Sequence, residues 1–562
     1  MITVMIKNRP GLCPLAGLIQ GRLTALILSV VLGLGVAQAW AENIEAEPGA
    51  PTAREAAPPA PVFTFNDVEQ IARERAQKAY ERPENPARDF LTAIGEADWN
   101  SIRYKDDQRL WHDEGLPFEV SFFHPGFIYN NIIALDLVED GRVTSLPFNS
   151  GLFEYGNAEL AEKSAEKRLG FSGFRLHFPL NRLDHKDEAV VFLGATHFRA
   201  LARHTTYGLM ARGLILNPAM PEGEEYPYFR RFWLVKPGPE DASLTIYALM
   251  ESPSLTGAFR YVVKPGLSTV MDVSARLYPR AGQSWPRKIG LAPLNSMYLF
   301  GEKEGGSRAD YRPEVHSSDA LLWTSGENRW FRRPLNNPGR LESHYIGLRH
   351  PRGFGLVQED SNFDHYQDLR RRFDRRPSVW VEPLGEWGPG QLELIEIPGD
   401  QDIHDNIIAF WTPAWPTSTA GNAGQPMIYD YRMYWMAPQT TPHQLGRVVA
   451  TRLALDQKNA QARFVIDFES EELNAIPAET GLSSQVETPA EFPVISKSLV
   501  KNTVTGGWRL EFLIKAPQEN GVVQSLISAR GDHRVPRFWA FLKKGENLPE
   551  PLTETWVYDF SY

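Results

Sequence analysis

Carboxylates set among aromatic rings are concentrated in one stretch, Asp400 to Trp415 (DQDIHDNIIAFWTPAW). Sugars present C–H faces that pack on aromatic rings, and hydroxyls that bond to carboxylates, amides and guanidinium groups, so this mixture suits carbohydrate. Asp405 stands directly before the apolar run Ile407 to Trp411, at what should be the entrance to a strand. A carboxylate at such an edge either turns the chain by bonding its own backbone or faces a ligand, and the residues alone leave both readings open. The tryptophans are equally two-sided, because a β-sandwich places many aromatics in its core. Arg370, Arg371, Arg372, Arg375 and Arg376 form a basic patch whose simpler reading is a solvated face paired with local acids.

Other chemistries lack their residues. The sequence contains no phosphate-loop G-x-x-x-x-G-K, no H-E-x-x-H zinc helix and no G-x-S-x-G nucleophile elbow, and its 13 histidines form no cluster with ligand spacing. No metal or other cofactor is expected. With 59 Lys+Arg against 69 Asp+Glu the net charge is -10, a field that repels phosphate backbones and anionic lipid, so nucleic acid is not an expected partner.

The elements that must position these residues begin after an export signal. Lys7, Arg9 and Arg22 precede a short apolar run, Leu23 to Val36, followed by Ala39-Trp40-Ala41, which predicts removal of residues 1–41. The run is shorter than the ~20 residues a spanning helix needs, so a soluble periplasmic protein without stable membrane insertion is expected. Cys13, the only cysteine, lies inside the removed segment, which excludes disulfides and thiol catalysis from the mature chain. Residues 42–61, rich in Ala, Pro and Glu, read as a disordered tether. A helix is predicted from a capping box at Asn66 to Glu69, with Val68, Ile71, Ala72, Ala76 and Ala79 on one face, ending at Pro83.

Beyond it, short strands divided by Gly, Pro and Asn turns make the chain all-β. Phe127 to Leu137, Val190 to Leu193, Leu244 to Met250 and Arg260 to Val263 are continuously apolar, as strands covered on both faces would be. Residues 447–562 alternate more cleanly, with Phe464, Ile466 and Phe468, then Trp508, Leu510, Phe512 and Ile514, on single faces. This suits a small immunoglobulin-like sandwich without the disulfide, joined by a linker at 438–446 to a larger unit at 62–437.

Several long strings then resemble one family. LGFSGFRLHFPLN (169–181), FLGATHFRA (192–200), YGLMARGL (207–214), LTIYALMESPSLTGAFRYVVKPG (244–266), YRPEVH (311–316), RRPLNNP (332–338), DRRPSVWVEPLGEWG (374–388) and DNIIAFWTP (405–413) are similar to the periplasmic glucan biosynthesis proteins G and D. No adjacent arginine pair precedes the apolar run, which places the chain nearer the G branch. The resemblance implies a large galactose mutarotase-like β-sandwich followed by an immunoglobulin-like one. It also implies a role in making osmoregulated periplasmic glucans, whose backbone is β-1,2-linked glucose, with other glucan-synthesis proteins of the envelope as partners. Family members are similar to inverting endo-β-1,2-glucanases, the G branch being feeble.

In the family pattern the aspartate of D-N-I is the general acid, which is Asp405 here. The base pattern Y-R-P-E-[VL]-H-D-S departs: this chain has Ser317 where an aspartate is expected, and a serine hydroxyl has no accessible ionisation with which to activate water. Asp319 is the nearest substitute, although in an extended segment it lies about 6.6 Å from position 317 along the strand. Tyr311, Arg312, Trp387 and Trp411, in or beside these motifs, are the candidate substrate contacts. Two functions follow, a weak β-1,2-glucanase or a non-catalytic scaffold that holds nascent glucan; mutarotase-like epimerisation rests on fold analogy alone.

Overall fold

The computed structural model describes residues 62–304, 309–326, 329–414, 425–438, 440–456, 458–517, 535–545 and 550–560. The expected signal segment 1–41 and the tether 42–61 lie outside the described residues. The structure is mostly β-strand with few helices, as the turn-punctuated sequence predicts. Among the described residues no helix is long and apolar enough to cross a membrane.

The first helix runs Phe65–Ala76. Its capping box sits two residues earlier than predicted: the Thr64 N–H and hydroxyl both donate to Asp67 Oδ2, at 2.7 and 2.9 Å. The helix also stops well before Pro83. There the Arg280 guanidinium takes the freed carbonyls of Arg75 and Lys78 at 2.7 and 3.0 Å, a C-terminal cap supplied from a distant strand. Val68, Ala72 and Ala76 pack on Leu249, Ala258 and Tyr278, covering the outer face of a sheet.

Among the described residues that sheet has fourteen strands, and a second has ten. Their inner faces share one core, seen where Phe174 meets Phe232 at 5.0 Å and Phe192 meets Tyr261 at 5.2 Å between ring centroids. Strands Leu244–Glu251 and Leu255–Lys264 are therefore covered twice, by the core on one side and the helix on the other, which explains their continuous apolarity. One predicted strand is displaced. Phe127 sits in a turn at φ 53°, and the strand there is Ala134–Glu139.

Toward the C-terminus, strands Arg447–Asp456, Gln461–Glu469, Val494–Lys501 and Trp508–Lys515 form a four-stranded layer. It packs on Leu482–Glu487, Arg537–Lys544 and Thr555–Asp559 around Phe464, Phe512, Phe538 and Trp556. Those last three strands extend the fourteen-stranded sheet, because Phe331 and Arg332 pair in parallel with Thr555 and Trp556. Gly446 and His443, in the expected linker, bond to the Leu552–Glu554 segment.

A two-pair parallel contact is a weak joint by itself. It is reinforced by Arg333, 1% exposed, whose Nε donates to Asp559 Oδ2 at 2.6 Å and whose Nη1 and Nη2 donate to Glu396 at 2.9 Å each. Glu396 belongs to the ten-stranded sheet, so one guanidinium joins the last strand and both sheets. Replacing Arg333 by Ala leaves Glu396 and Asp559 as buried charges short of a cation. The expected cost is ~3–5 kcal/mol in denaturant unfolding, whereas Arg333→Met combined with Glu396→Gln should recover much of it. A loss below about 1 kcal/mol for Arg333→Ala would show that the joint does not depend on this ion pair.

Candidate functional site

Strand Ile407–Pro413 alternates as strands must, with Ile407, Ala409 and Trp411 in the inter-sheet core and Ile408 and Phe410 on the opposite face. Asp405 lies two residues before the strand, at its entrance. Burial raises its pKa, while the nearby Arg199, Arg376 and His404 pull the other way and do not prevail. Its neighbour Asn406 holds the position. The Asn406 Oδ1 accepts the Tyr298 N–H at 2.8 Å, and its Nδ2 donates to the Tyr298 and Ile397 carbonyls at 2.9 and 3.0 Å.

Arg199 is close enough for its charge to act on Asp405. The strands His197–Ala200, Met210–Arg212, Ile289–Ser296 and Ile407–Pro413 are successive neighbours, and Arg199, Met210, Asn295 and Ile408 share a face by register. On that face a cavity of about 470 Å³ opens, lined by Tyr129, Glu188, His197, Arg199, Tyr207 and Tyr228 among others. Phe192 and Ala211, which alternate with residues of this lining, belong to the core. Burial and then Arg212 push the His197 imidazole down to about 3, so it faces the cavity as a neutral ring. Arg376 donates to the Tyr207 carbonyl and is lowered to about 10 by burial and by Arg199 and Arg371. Neutral aromatic faces, the Glu188 carboxylate and the Arg199 guanidinium around one cavity are donors, acceptors and platforms for a polyhydroxylated ligand.

The base region hangs on the same stretch of chain. Asn406 N–H donates to the Ser296 carbonyl at 3.0 Å and Ser317 N–H to the Met297 carbonyl at 2.8 Å, so positions 405–406 and 317 flank residues 296–297, about two strand spacings or ~10 Å apart. Ser317 is buried. Asp319 is engaged elsewhere: its Oδ1 accepts Arg332 Nη2 at 3.1 Å, and its Oδ2 accepts the N–H groups of Glu359 and Asp360 at 2.8 and 3.4 Å.

The four expected contacts separate. Tyr311 is 77% exposed, its ring open to solvent. Arg312 binds carboxylates with all three nitrogens: Nε and Nη2 to Asp310, Nη1 to Asp368 and Asp402 at 2.8 Å each. It braces the loop before Asp405 and has no nitrogen left uncommitted. Trp411 is fully enclosed in the core, and Trp387 is 6% exposed there with its Nε1 donating to the Asp430 carbonyl at 3.1 Å. Neither indole presents a face to a ligand, which corrects the expectation for both; the parity of Trp411 with Ile407 is the physical reason in its case.

The basic patch divides as well. Arg371 and Arg372 pair with Asp402 and Asp374, as a solvated patch would, but Arg376 turns in toward Tyr207. Arg199, Tyr207 and Arg376 were not legible as site residues in the sequence; the cross-strand row that gathers them needs the sheet order. Among the described residues two groups of side chains have ligand atoms close enough for a metal, Glu314–Asp360–His365 and Glu342–His344–Glu396. In the first, His316 bonds to Glu314 and His365 to Asp360; in the second, Arg333 already binds Glu396.

The fold and site together define a β-sheet protein with an aromatic-lined cavity that carries Glu188 and Arg199, the latter within electrostatic reach of the buried Asp405. The model of the family described as periplasmic glucan biosynthesis protein, MdoG, matches residues 63–560, and the chain belongs to that family. It is similar to proteins named glucans biosynthesis protein G. That of Ralstonia nicotianae is 38% identical over 505 residues, 88% of this chain and 95% of the relative. Those of Rhodopseudomonas palustris and Pseudomonas aeruginosa are 39% and 35% identical, over 85% and 89% of this chain and 93% of each relative.

The histidine of the Y-R-P-E-V-H string generates a pH prediction. Burial disfavours the charged His316, but the hydrogen bond and charge of Glu314, at 2.9 Å, raise it to about 9. A histidine raised above its unfolded value of ~6.5 contributes stability that is complete below that pH and lost as pH rises through 9. His316→Gln should flatten the fall in melting temperature over this window. It should not abolish it, because His344 is also raised to about 9, its bonds to Asp559, Glu342 and Glu396 outweighing burial and Arg333. An unchanged pH profile in His316→Gln would show that His316 is neutral in the folded protein.

Proposed function

We propose that this protein acts in the biosynthesis of periplasmic glucans by holding a β-1,2-linked glucose chain in the cavity beside Asp405. On this reading the 62–437 region is the mutarotase-like glucan-binding part, 447–562 is the immunoglobulin-like part, and the mature chain works in the periplasm after loss of residues 1–41. The observation that carries it is the cavity itself, lined by aromatic rings, Glu188, Arg199 and a neutral His197, with the Arg199 charge acting on the buried Asp405 carboxyl. Family membership supports the glucan as occupant. Tyr311, exposed next to the brace that Arg312 forms, is the outer platform.

A second reading, slow inverting hydrolysis, is favoured by the raised pKa of Asp405. A carboxyl that keeps its proton at higher pH can give it to a glycosidic oxygen, while an inverting reaction also needs a carboxylate on the far side to activate water. Ser317 cannot serve, and Asp319 is occupied by Arg332 and two backbone N–H groups, which favours holding over cutting.

Titrating the mature protein with linear β-1,2-glucan, then sizing the products, tests both. Saturable binding that weakens in Arg199→Ala and in Tyr311→Ala is expected, with no shorter oligosaccharides released. Ser317→Asp should raise cleavage, since a positioned base contributes ~10²–10⁴-fold, and Asp405→Asn in that background should remove the gain. Absence of saturable binding by the wild type would sink the glucan reading; wild-type cleavage abolished by Asp319→Asn would instead install the hydrolase.

A further inference from the structure

Beside the cavity lined by Arg199 lies a second one, about 290 Å³, and Asn131, Tyr226 and Tyr228 line both. Its other walls carry three arginines, Arg82, Arg88 and Arg230. Among the described residues none of the three forms an ion pair. Arg230, at the start of strand Tyr228–Val235, is held from two sides: its Nη2 donates to the Tyr80 hydroxyl at 2.8 Å, and its guanidinium lies 5.0 Å from the centroid of the Tyr228 ring. Its Nε is buried and has no hydrogen-bond partner among the described residues. A guanidinium fixed in place yet lacking a carboxylate is a group whose best partner is an anion with oxygens in a plane.

The segment bearing the other two arginines is fixed as well. Pro83 and Pro86 restrict its backbone, Asn85 Nδ2 donates to the Asn130 carbonyl at 2.9 Å, and the Arg88 N–H donates to the Asn85 carbonyl at 3.0 Å. Two carboxylates share the lining. Glu225 spends Oε1 on the Ser254 N–H and hydroxyl at 3.0 and 2.6 Å, and Glu84 is exposed. The arginines outnumber them, in a chain whose net charge is -10.

We propose that this pocket binds a phosphate- or carboxylate-type anionic group, carried by the saccharide that fills the adjoining cavity, so that the protein distinguishes charged from neutral glucan. The source of the anion rests on the glucan reading above; the site itself does not. The shared wall at Tyr226 and Tyr228 is what lets one ligand reach both cavities.

The test is calorimetric titration of the mature full-length protein with three probes: neutral linear β-1,2-glucan, the same glucan bearing phosphate monoesters on its primary hydroxyls, and inorganic phosphate. The phosphorylated glucan should bind about tenfold or more tightly than the neutral one, with the advantage shrinking as salt is raised. Arg230→Gln, and separately the more surface-lying pair Arg82→Gln with Arg88→Gln, should cut that advantage to below about threefold while leaving neutral glucan binding within twofold. Saturable binding of inorganic phosphate that the same variants abolish, with the two glucans equal, would keep the anion site and assign it to a free anion. Equal binding of the two glucans with no phosphate binding, or an advantage that survives in folded variants, overturns the proposal. Phosphate binding without any glucan binding would overturn the glucan reading alone.

Discussion

Two neighbouring arginines with opposite duties are the constraint on which the rest of the structure depends. Arg332 and Arg333 are successive residues of a strand, so their side chains leave on opposite faces of the sheet. Arg333 meets Glu396 and Asp559, while Arg332 meets Asp319 and Glu359. Both guanidinium groups are buried, and taking such a charge out of water costs several kcal/mol unless carboxylates surround it. That demand fixes the positions of four acids from four separate parts of the chain. It sets the register of the last strand against Phe331 and Arg332 more firmly than two parallel residue pairs could.

From this junction the constraint runs to the site through the residues that follow. The Asn336 N–H donates to the other acceptor of Arg333, Glu396 Oε1, at 2.7 Å. Asn337 clasps Gly399 with both ends of its amide, at 2.8 Å each way, and accepts from Asn406. Asn406 in turn holds Tyr298 and Ile397, leaving Asp405 at the mouth of its strand. Thus RRPLNNP is a positioning element: its polar side chains satisfy buried partners that would otherwise leave the 397–406 turn without a fixed path. Arg312 secures the same turn from the opposite side through Asp402.

Much of the frame was legible because it follows from period two. The alternation Phe464, Ile466, Phe468 and its counterparts facing it survive as one aromatic core, and the continuous apolarity of 244–250 is explained by double coverage. Asp405 was legible as a strand entrance for the same reason. The misreadings have separate causes. Trp411 belongs to the core by its parity with Ile407, which the carboxylates and aromatics around it in the sequence obscure. The helix ended early because Arg280, two hundred residues away, caps it. Arg376 was read with its charged neighbours, whereas its surroundings come from Tyr207 and Arg199. Non-local pairing of this kind leaves no trace in local composition, so the cavity became visible only with the strand order.

The electrostatics at Asp405 then bear on what the site can do. Two arginines nearby would ordinarily hold a carboxyl ionised, yet burial prevails and its pKa is raised. A ligand that expels water from the cavity strengthens both tendencies, since removing solvent penalises the carboxylate and lengthens the reach of Arg199. A polyhydroxylated ligand brings no charge of its own to settle that contest. On the proposed reading this gives the missing carboxylate at 317 a positive meaning. With a base opposite, an acid at Asp405 would begin bond cleavage; without one, the same carboxyl is left as a hydrogen-bonding partner for sugar hydroxyls, and the geometry serves to grip the chain instead of cutting it.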